Sequence, residues 1–444
     1  MTRNAAKSSH TGGSGLGRAA PAPSLAGRDW FEQPAVQDIF AALNRNGGEA
    51  RIVGGSIRST LMRLPVKDVD FATTHEPETV MRLAREAGLK AVPTGIEHGT
   101  VTIVSHGRPF EVTTLRRDVK TDGRHAEVCF TTDWSEDASR RDFTINALYA
   151  SADGTVHDPL GGMADIRARR VRFIGDASSR IAEDYLRIMR FFRFHAEYGR
   201  GAIDEAGLLA CIRGRAGLAR LSAERIRVEL LRTLAANGAI DVVTLMAETG
   251  VLIQITGGVP RLADFGRIVA IEAARRLPAD PIRRLAALCL FVREDAERLS
   301  RRLRLSNAES ARLKASAEPP RLDPTNAMGC KHLLHRLGAA PYQDAVMLAW
   351  VRSRAAPEDR AFARAYALPQ RWSAPEFPLS GADLIALGVR KGPAVGRLLR
   401  RLEDAWLKSG FAKSRKSLLV LARRLAAAEG AMDTITVRQA AGAR

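Results

Sequence analysis

The sequence has few cysteines, and they are widely spaced. Cys129, Cys211, Cys289 and Cys330 are the four cysteines among 444 residues, and no CxxC pair occurs. A disulfide framework or a cysteine-based zinc site is therefore not expected, and a reducing cytosol suits the chain. No apolar run approaches the roughly 20 residues of a membrane span, and the N-terminus lacks the apolar core of a signal peptide. These absences predict a cytoplasmic protein without a membrane partner.

Acidic residues are in the minority. Lysine and arginine total 68 against 49 aspartates and glutamates, which gives a formal net charge of +19. Such a surplus favours a polyanionic partner, because phosphate backbones bind basic surfaces with release of counterions. The alternative is a basic but passive surface in an arginine-rich proteome, and composition alone leaves both possibilities open.

Strand signals are nearly absent from the C-terminal two-thirds of the chain. Residues 1–28 are rich in Gly, Ser and Ala and hold no acidic residue, which predicts a disordered basic tail. Residues 29–172 alternate strand-like and helical patterns, which predict strands at Ala50–Val53 and Val171–Ile174 and a hairpin of Gly99–Ser105 with Pro109–Leu115. From about Ser178, apolar residues instead recur three and four apart. The predicted fold class is therefore α+β, a mixed N-terminal domain followed by an all-helical remainder. The remainder is divided into three predicted segments, 173–250, 251–372 and 373–444.

Two aspartates stand close together in an extended run, Val66–Ala72. Because alternate side chains of a strand share a face, Asp68 and Asp70 would point away from the core. Adjacent carboxylates repel unless a cation lies between them, and a hard divalent ion such as Mg²⁺, usually held together with phosphates, suits them.

A glycine turn precedes the aspartates. Gly54 and Gly55 before a helix would let backbone NH groups approach a phosphate, and Arg58 could add a guanidinium. A Gly-Gly turn alone is structural in most proteins, and this one matches neither a Walker loop nor a GxGxxG turn. Its combination with a following Asp-x-Asp is much rarer.

A third carboxylate is a candidate for the same site. In the strand Pro109–Leu115, Phe110 and Val112 would face the core and Glu111 the opposite side. If this strand lies beside the aspartate strand, three carboxylates converge and could hold one or two magnesium ions around a triphosphate. The alternative is an exposed strand residue.

Two arginines follow a stretch without periodicity. Arg116–Trp134 predicts a long loop, and Ser135–Ala150 predicts a helix. Arg140 and Arg141, paired next to a polar helix face, suit phosphate or ribose contacts. The alternative is a surface helix on which Asp142 pairs with a nearby arginine.

The last cluster lies in Ile181–Tyr198, which predicts one continuous helix. Asp184, Arg187 and Arg190 recur at spacings of three and would share a face. A carboxylate and a guanidinium side by side could match the polar edge of a nucleobase. By spacing alone, an intrahelical salt-bridge ladder worth only tenths of a kcal/mol per pair is the better interpretation.

In this order the clusters resemble the class II branch of the DNA polymerase beta nucleotidyltransferase superfamily, which holds CCA-adding tRNA nucleotidyltransferases and bacterial poly(A) polymerases. The resemblance covers most of the chain, and as an ordered set its motifs are highly specific. They are GGSIR at Gly54–Arg58, DVD at Asp68–Asp70, FEVTTLR at Phe110–Arg116, RRDFTINAL at Arg140–Leu148, DPLGG at Asp158–Gly162 and EDYLRIMRFFRF at Glu183–Phe194.

The resemblance implies a DNA polymerase beta-like head over 29–172, followed by an all-α neck (173–250), body (251–372) and basic, tRNA-binding tail (373–444). It implies that Asp68 and Asp70 hold Mg²⁺, with Glu111 as a further catalytic candidate. Asp184 and Arg187 would act as an amino-acid template that selects CTP and ATP. The other implied nucleotide-binding residues are Gly54, Gly55, Arg58, Arg140, Arg141, Asp142, Asn146, Arg190 and Arg193.

The resemblance implies template-independent addition of C, C and A to tRNA. The full-length segment Arg116–Trp134 favours complete CCA addition, while CC-only or A-only addition, poly(A) synthesis and non-catalytic tRNA binding are the alternatives. One departure is Ser59, which stands where the family usually has an aspartate after the arginine. Serine keeps hydrogen-bonding capacity there but supplies no charge.

Overall fold

The computed structural model describes residues 23–121, 126–319 and 321–428. The chain folds into two compact units, Met1–Leu221 and Ser222–Arg444. Within the described residues, no helix is both long and apolar enough to cross a membrane.

The described residues of the first unit contain nine strands, seven of which form one mixed sheet in the order β3-β4-β5-β2-β1-β8-β9, while β6 and β7 form a separate two-stranded sheet. Neighbouring strands are antiparallel except for β2 and β5, which are parallel. The strands are β1 (Ala50–Val53), β2 (Asp70–Thr73), β3 (Lys90–Gly95), β4 (Thr100–Ser105), β5 (Arg108–Thr114), β6 (Arg116–Thr121), β7 (Ala126–Phe130), β8 (Tyr149–Ala150) and β9 (Val156–His157).

Eight helices accompany these strands between residues 23 and 221, where the structure describes all but 122–125. They are α1 (Pro34–Leu43), α2 (Gly55–Leu61), α3 (Pro77–Glu86), α4 (Trp134–Ser139), α5 (Gly162–Ala168), α6 (Ala177–Glu183), α7 (Leu186–Tyr198) and α8 (Glu205–Gly214), with 3₁₀ turns at Ile96–His98, Thr144–Asn146 and Arg215–Arg220.

An aromatic core supports the centre of the sheet. The ring of Phe40 on α1 lies 5.1 Å from that of Phe71 on β2, and Phe71 lies 6.2 Å from Phe110 on β5. All three are buried. Since side chains alternate along a strand, the residues beside them on β2 and β5 point away from this core.

Several predicted elements are confirmed. The strand Ala50–Val53 has the expected bounds, and the hairpin of β4 and β5 turns at His106 and Gly107. The strand predicted at Val66–Ala72 is shorter, because β2 begins at Asp70 and Asp68 lies just before it. β3 was not predicted, since its mixed burial leaves no clean alternation.

The predicted loop Arg116–Trp134 is wrong. Most of it forms the β6–β7 hairpin, in which Arg116 pairs with Phe130 and Arg117 with Cys129, although part of the segment, 122–125, lies outside the described residues. Its dense mixed charges hid the apolar alternation on which strand prediction depends.

The predicted helix Ser135–Ala150 is also wrong. α4 ends at Ser139, and Tyr149 pairs with Val53 in the main sheet. Residues 142–150 are buried on every side, and an apolar run of that kind carries no period that separates helix from strand. The strand predicted at Val171–Ile174 is reduced to a single bridge between Phe143 and Phe173.

The helix predicted at Ile181–Tyr198 is interrupted. α6 ends at Glu183, Asp184 has extended backbone angles, and α7 starts at Leu186. The Asp184 carboxylate accepts a hydrogen bond of 3.0 Å from the Leu186 backbone NH. Asp184 therefore stands at a corner between two helices, where its carbonyl oxygen also accepts a hydrogen bond of 3.0 Å from the Arg187 backbone NH.

The second unit is helical in every named element of its described residues, as the sequence predicted. Its helices are α9 (Ala223–Ala235), α10 (Ala239–Glu248), α11 (Val251–Thr256), α12 (Leu262–Ala274), α13 (Pro281–Cys289), α14 (Arg293–Arg302), α15 (Asn307–Ala317), α16 (Ala327–Leu337), α17 (Ala339–Ser353), α18 (Arg360–Tyr366), α19 (Leu368–Arg371), α20 (Gly381–Ala386), α21 (Pro393–Lys408) and α22 (Arg415–Ala428).

A buried ionic network joins three of these helices. Asp344 on α17 is 3% exposed and accepts hydrogen bonds from Arg283 on α13 at 2.8 Å and from Arg312 on α15 at 2.7 Å. The last three helices, α20 to α22, share an apolar cluster that includes Leu384, Trp406 and Leu418.

Candidate active site

Three carboxylates lie at the end of two parallel strands. Phe71 of β2 pairs with Val112 of β5, so Asp70 and Glu111 occupy the preceding position on neighbouring strands. Both side chains are exposed, as is that of Asp68. The structure thus brings the two aspartates and Glu111 into one neighbourhood on the face away from the aromatic core.

The charges of this group affect one another. Desolvation, followed by the negative charges of Glu111 and Asp68, raises the pKa of Asp70 to about 6, while Arg141 acts in the opposite direction. Because the Asp70 side chain is exposed, we give the repulsion between carboxylates the greater weight. A divalent cation would relieve this repulsion.

The donor set fits magnesium better than a softer metal. Its oxygens are anionic and hard, and Mg²⁺ in phosphate-transfer sites commonly takes one or two carboxylates and completes its shell with water and phosphates. In the part of the chain that the structure describes, no group of three or more His, Cys, Asp or Glu side chains that could hold a metal ion by itself is found. In a site of the phosphate-transfer kind, the carboxylates would share the ion with a substrate.

The glycine turn lies next to the RRD segment. Gly54 has a φ of +72°, and a Cβ added there would lie 3.4 Å from the carbonyl oxygen of Asn146. Glycine is needed because this backbone conformation is strained for other residues. Gly55 begins α2, one turn before Arg58.

Arg58 is buried, with 7% of its surface exposed. Its guanidinium donates to the side-chain oxygen of Asn146 and, over 3.1 Å, to the hydroxyl of Tyr198. It also lies over the rings of Tyr198, at 4.3 Å, and Phe194, at 5.1 Å. Burial lowers the pKa of Arg58, against the effect of Tyr198.

Arg140 and Arg141 share one buried carboxylate. Asp137 is 1% exposed and lies 2.6 Å from Arg140 Nη2 and 2.9 Å from Arg141 Nη2. The Tyr149 hydroxyl donates to Asp137 at 2.7 Å. Burial opposes ionisation of Asp137, but Arg141, Arg140 and Tyr149 together lower its pKa to about 2. Sequence analysis missed Asp137, although its spacing of three and four from the arginines was a readable signal.

Asp142 and Asn146 form a chain of hydrogen bonds with two arginines. Asn146 Nδ2 donates to Asp142 Oδ1 at 2.9 Å, and Arg190 Nε donates to Asp142 Oδ2 at 2.7 Å. Burial opposes ionisation of Asp142, but Arg190 and Asn146 lower its pKa. Since Asn146 also accepts from Arg58, the chain links α2 to α7.

The two residues proposed to select the base have different surroundings. Asp184 caps the corner before α7, as described above. Arg187 donates to the carboxylate of Glu183 and, over 2.7 Å, to the carbonyl oxygen of Arg180. The alternative interpretation predicted ion pairs within one helix; Glu183 and Arg187 do pair, but across the break between α6 and α7. Arg193 is 2% exposed and pairs with Glu197.

A cavity of about 450 Å³ lies beside Arg140 and Glu183. Its lining includes neither Asp68 nor Asp70, so it is a different space from the carboxylate site. It is lined by Arg117, Asp133, Ser135, Glu136, Ser139, Arg140, Arg180 and Glu183.

Comparison with known proteins matches two family descriptions and many relatives. "Poly A polymerase head domain" matches residues 50–172, and "Probable RNA and SrmB- binding site of polymerase A" matches 202–264. CCA tRNA nucleotidyltransferase 1, mitochondrial, of Mus musculus is 38% identical over 406 residues, which is 87% of this chain and 88% of the relative. The CCA-adding enzyme of Limosilactobacillus fermentum is 31% identical, over 88% of this chain and 97% of its own.

The fold has a matching solved structure. The crystal structure of Bacillus stearothermophilus CCA-adding enzyme in complex with CTP superposes with a TM-score of 0.72 and 29% identity, covering 90% of this chain and 99% of that one. The similarity extends over nearly the full length of these proteins in sequence and in fold. The chain belongs to the family of CCA-adding tRNA nucleotidyltransferases.

Proposed function

We propose that this protein adds C, C and A to the 3′ end of tRNA from CTP and ATP, without a nucleic-acid template and with release of pyrophosphate. The observation that carries the proposal is the similarity over most of the chain to relatives named for this activity. The 3′-hydroxyl oxygen of tRNA would bond to the α-phosphorus of the nucleotide as the bond to pyrophosphate breaks.

Asp68 and Asp70 are the proposed magnesium ligands, and Glu111 is the further carboxylate beside them. When bound, Mg²⁺ would neutralise triphosphate charge and favour ionisation of the attacking hydroxyl. The parallel pairing of β2 and β5 supports the assignment, because it fixes the Asp70 and Glu111 side chains on one exposed face.

The proposed contacts to the triphosphate and ribose come from the glycine turn and the RRD segment. Gly54 and Gly55 would offer backbone NH groups at the start of a helix. Arg58 and Arg141 would offer guanidiniums, which match phosphate oxygens well. Arg140, Asp142 and Asn146 would complete the pocket.

Selection of the base is proposed to rest on Asp184 and Arg187, at the corner where α6 meets α7. An acceptor and paired donors can match the edges of cytosine and adenine, and no nucleic-acid template is then needed. Arg187 is held by Glu183 and the Arg180 carbonyl oxygen, which would restrict its orientation. Arg190 and Arg193 would support the triphosphate or this template.

tRNA is proposed to bind the helical remainder, above all the tail, 373–444. Both acidic residues on α21 have partners on α16: Glu403 lies 2.9 Å from His335, and Asp404 lies 2.6 Å from Arg336. Exposed basic side chains outnumber the acidic ones on this surface, although Arg415 among them pairs with Asp383. They are Arg397, Arg400, Arg401, Lys408, Lys413, Arg415, Lys416, Arg423 and Arg424.

The domain boundaries remain proposals: tail 1–28, head 29–172, neck 173–250, body 251–372 and C-terminal tail 373–444. The division between the compact units, after Leu221, falls inside the proposed neck. A cytoplasmic location is proposed as well, and "mitochondrial" in the name of the mouse relative describes that relative.

An incorporation assay tests the proposal. The purified protein is incubated with Mg²⁺, labelled nucleotide and tRNA that lacks its last three nucleotides. CTP alone should add two residues, and CTP with ATP should add three. Incorporation of ATP alone into long tails, or no incorporation at all, would refute it.

A further inference from the structure

Arg58 differs from the other arginines of the site in the chemistry of its partners. Within the described ranges, no carboxylate lies at ion-pair distance from Arg58, although its side chain is almost completely buried. The others have carboxylate partners: Arg140 and Arg141 pair with Asp137, Arg187 with Glu183, Arg190 with Asp142 and Arg193 with Glu197.

The partners of Arg58 are neutral and come largely from α7. Tyr198, the last residue of that helix, contributes its hydroxyl at 3.1 Å and its ring face at 4.3 Å. Phe194, one turn earlier, contributes a second ring at 5.1 Å. Ser59, the neighbour of Arg58 in sequence, brings no charge. The direct contacts of the guanidinium are therefore dipoles and ring faces, while the carboxylates of Asp142 and Glu197 act on its charge only from beyond ion-pair distance.

A buried cation that lacks a counter-ion is prepared to receive an anion. A carboxylate partner would neutralise the guanidinium and weaken its attraction for phosphate. The phenol of Tyr198 and the two aromatic ring faces orient the guanidinium without neutralising its charge. Arg58 stands one turn after Gly55, at the turn proposed above to contact phosphates. Its natural ligand is thus the polyphosphate of the nucleotide.

We propose that Tyr198 is a positioning residue for the incoming triphosphate and that it acts through Arg58. The inference rests on the proposed function, because it concerns the nucleotide of that reaction. Since Arg58 would contact phosphate and not the base, the contribution of Tyr198 should be the same for CTP and ATP. Asn146 holds the other side of Arg58, but it belongs to the RRDFTINAL segment, whereas no sequence motif pointed to Tyr198.

Two substitutions separate the contacts of Tyr198. Tyr198→Phe removes the hydroxyl and keeps the ring, and Tyr198→Leu removes both. Tyr366→Leu in the second unit is a matched control, because Tyr366 makes the same kind of contact with Arg283, through its hydroxyl at 3.3 Å and its ring at 5.6 Å. The KM values for CTP, ATP and tRNA, kcat, and the inhibition constant of inorganic pyrophosphate are measured for each full-length variant.

We expect Tyr198→Phe to raise the KM for both nucleotides about threefold and Tyr198→Leu about tenfold, with the KM for tRNA unchanged. The inhibition constant of pyrophosphate should rise by the same factors, because pyrophosphate has no base. Tyr366→Leu should lower the melting temperature without raising the KM for the nucleotides or the inhibition constant of pyrophosphate. In the Arg58→Lys background, Tyr198→Leu should have little further effect, since residues that act as one unit are not additive.

Equal nucleotide KM values for wild type and Tyr198→Leu would overturn the inference. So would a change confined to CTP or to ATP, because that would place Tyr198 at the base. If Tyr198→Leu does not fold, unchanged KM and inhibition constants in Tyr198→Phe would overturn it instead. Failure of the proposed function is a separate result, because wild-type protein would then add no CCA to truncated tRNA.

Discussion

The guanidinium of Arg190 lies against the carboxylate of Asp142, with Nε 2.7 Å and Nη2 2.6 Å from Oδ2. Asp142 lies in the RRD segment and Arg190 on α7, so this pair links α7 to the segment proposed to line the nucleotide pocket. Asp142 is 9% exposed and also accepts from Asn146. Pairing of Asp142 with an arginine was the alternative that the sequence left open.

Removal of the Asp142 carboxylate should therefore destabilise the protein. Asp142→Ala removes a buried carboxylate that accepts from Arg190 and Asn146, and loss of one partner of a hydrogen-bonded buried pair costs up to about 3 kcal/mol. The free energy of unfolding in denaturant measures this loss. Glu86→Gln is the control, because its pair with Arg82 is half exposed and is worth under about 1 kcal/mol. Similar losses in the two variants would contradict the role given to Asp142.

Low pH should reduce the free energy of unfolding through protonation of Asp137. Its pKa is about 2 in the folded protein and about 4 in an unfolded chain. A lowered folded pKa stabilises at pH values above 4, and this contribution, about 2 kcal/mol, is lost as the pH falls towards 2. Denaturation of wild type and Asp137→Asn between pH 7 and pH 2.5 should show their stability difference shrinking by about that amount. A difference that stays constant with pH would contradict it.

The sequence predicts best where a segment has one buried face. The strand at Ala50–Val53 and the hairpin of β4 and β5 follow this rule, and Asp70 is exposed beside buried Phe71 as alternation requires. Prediction failed where residues are buried on all sides, at 142–150, or where charged residues crowd the sequence, as in Arg116–Thr121. Neither segment has a hydrophobic period from which a helix or a strand can be predicted.

In the candidate site, too, some features could be predicted from the sequence and others could not. Its residues were found from short motifs, but their partners were not, because partners are set by packing between distant segments. Tyr198 stands 140 positions from Arg58, and Asp142 is 48 positions from Arg190. The helix break at Asp184 depends on one capping hydrogen bond to Leu186, which spacing within an apparently continuous helix does not reveal.

The proposed metal ligands can be ranked by substitution. Asp68→Asn and Asp70→Asn should each lower kcat by about 1,000-fold or more at any Mg²⁺ concentration, because a bound metal contributes several kcal/mol to the transition state. Glu111→Gln should cause a smaller loss that added Mg²⁺ partly restores. Titration of the incorporation rate with Mg²⁺ checks this order. An Asp70→Asn variant of normal activity would contradict the metal assignment.

Base selection should depend on Asp184 and Arg187. Asp184→Ala removes the proposed acceptor, and Arg187→Lys removes the planar donors while keeping the charge. Both should reduce the preference between CTP and ATP at each step more than they weaken tRNA binding. Asp204→Ala is the control, because Asp204 caps α8 with a similar hydrogen bond, 2.9 Å to the Gly207 NH. Unchanged selectivity in both variants would exclude the template role.

The most direct test is to sequence the 3′ ends made on three tRNA substrates. The first substrate lacks CCA, the second ends after the first C and the third ends after both, and each is incubated with CTP, ATP and Mg²⁺. The account predicts that wild-type protein completes CCA on all three and stops there, while Asp70→Asn extends none. Extension of the third substrate alone, or continued addition of A beyond CCA, would contradict it.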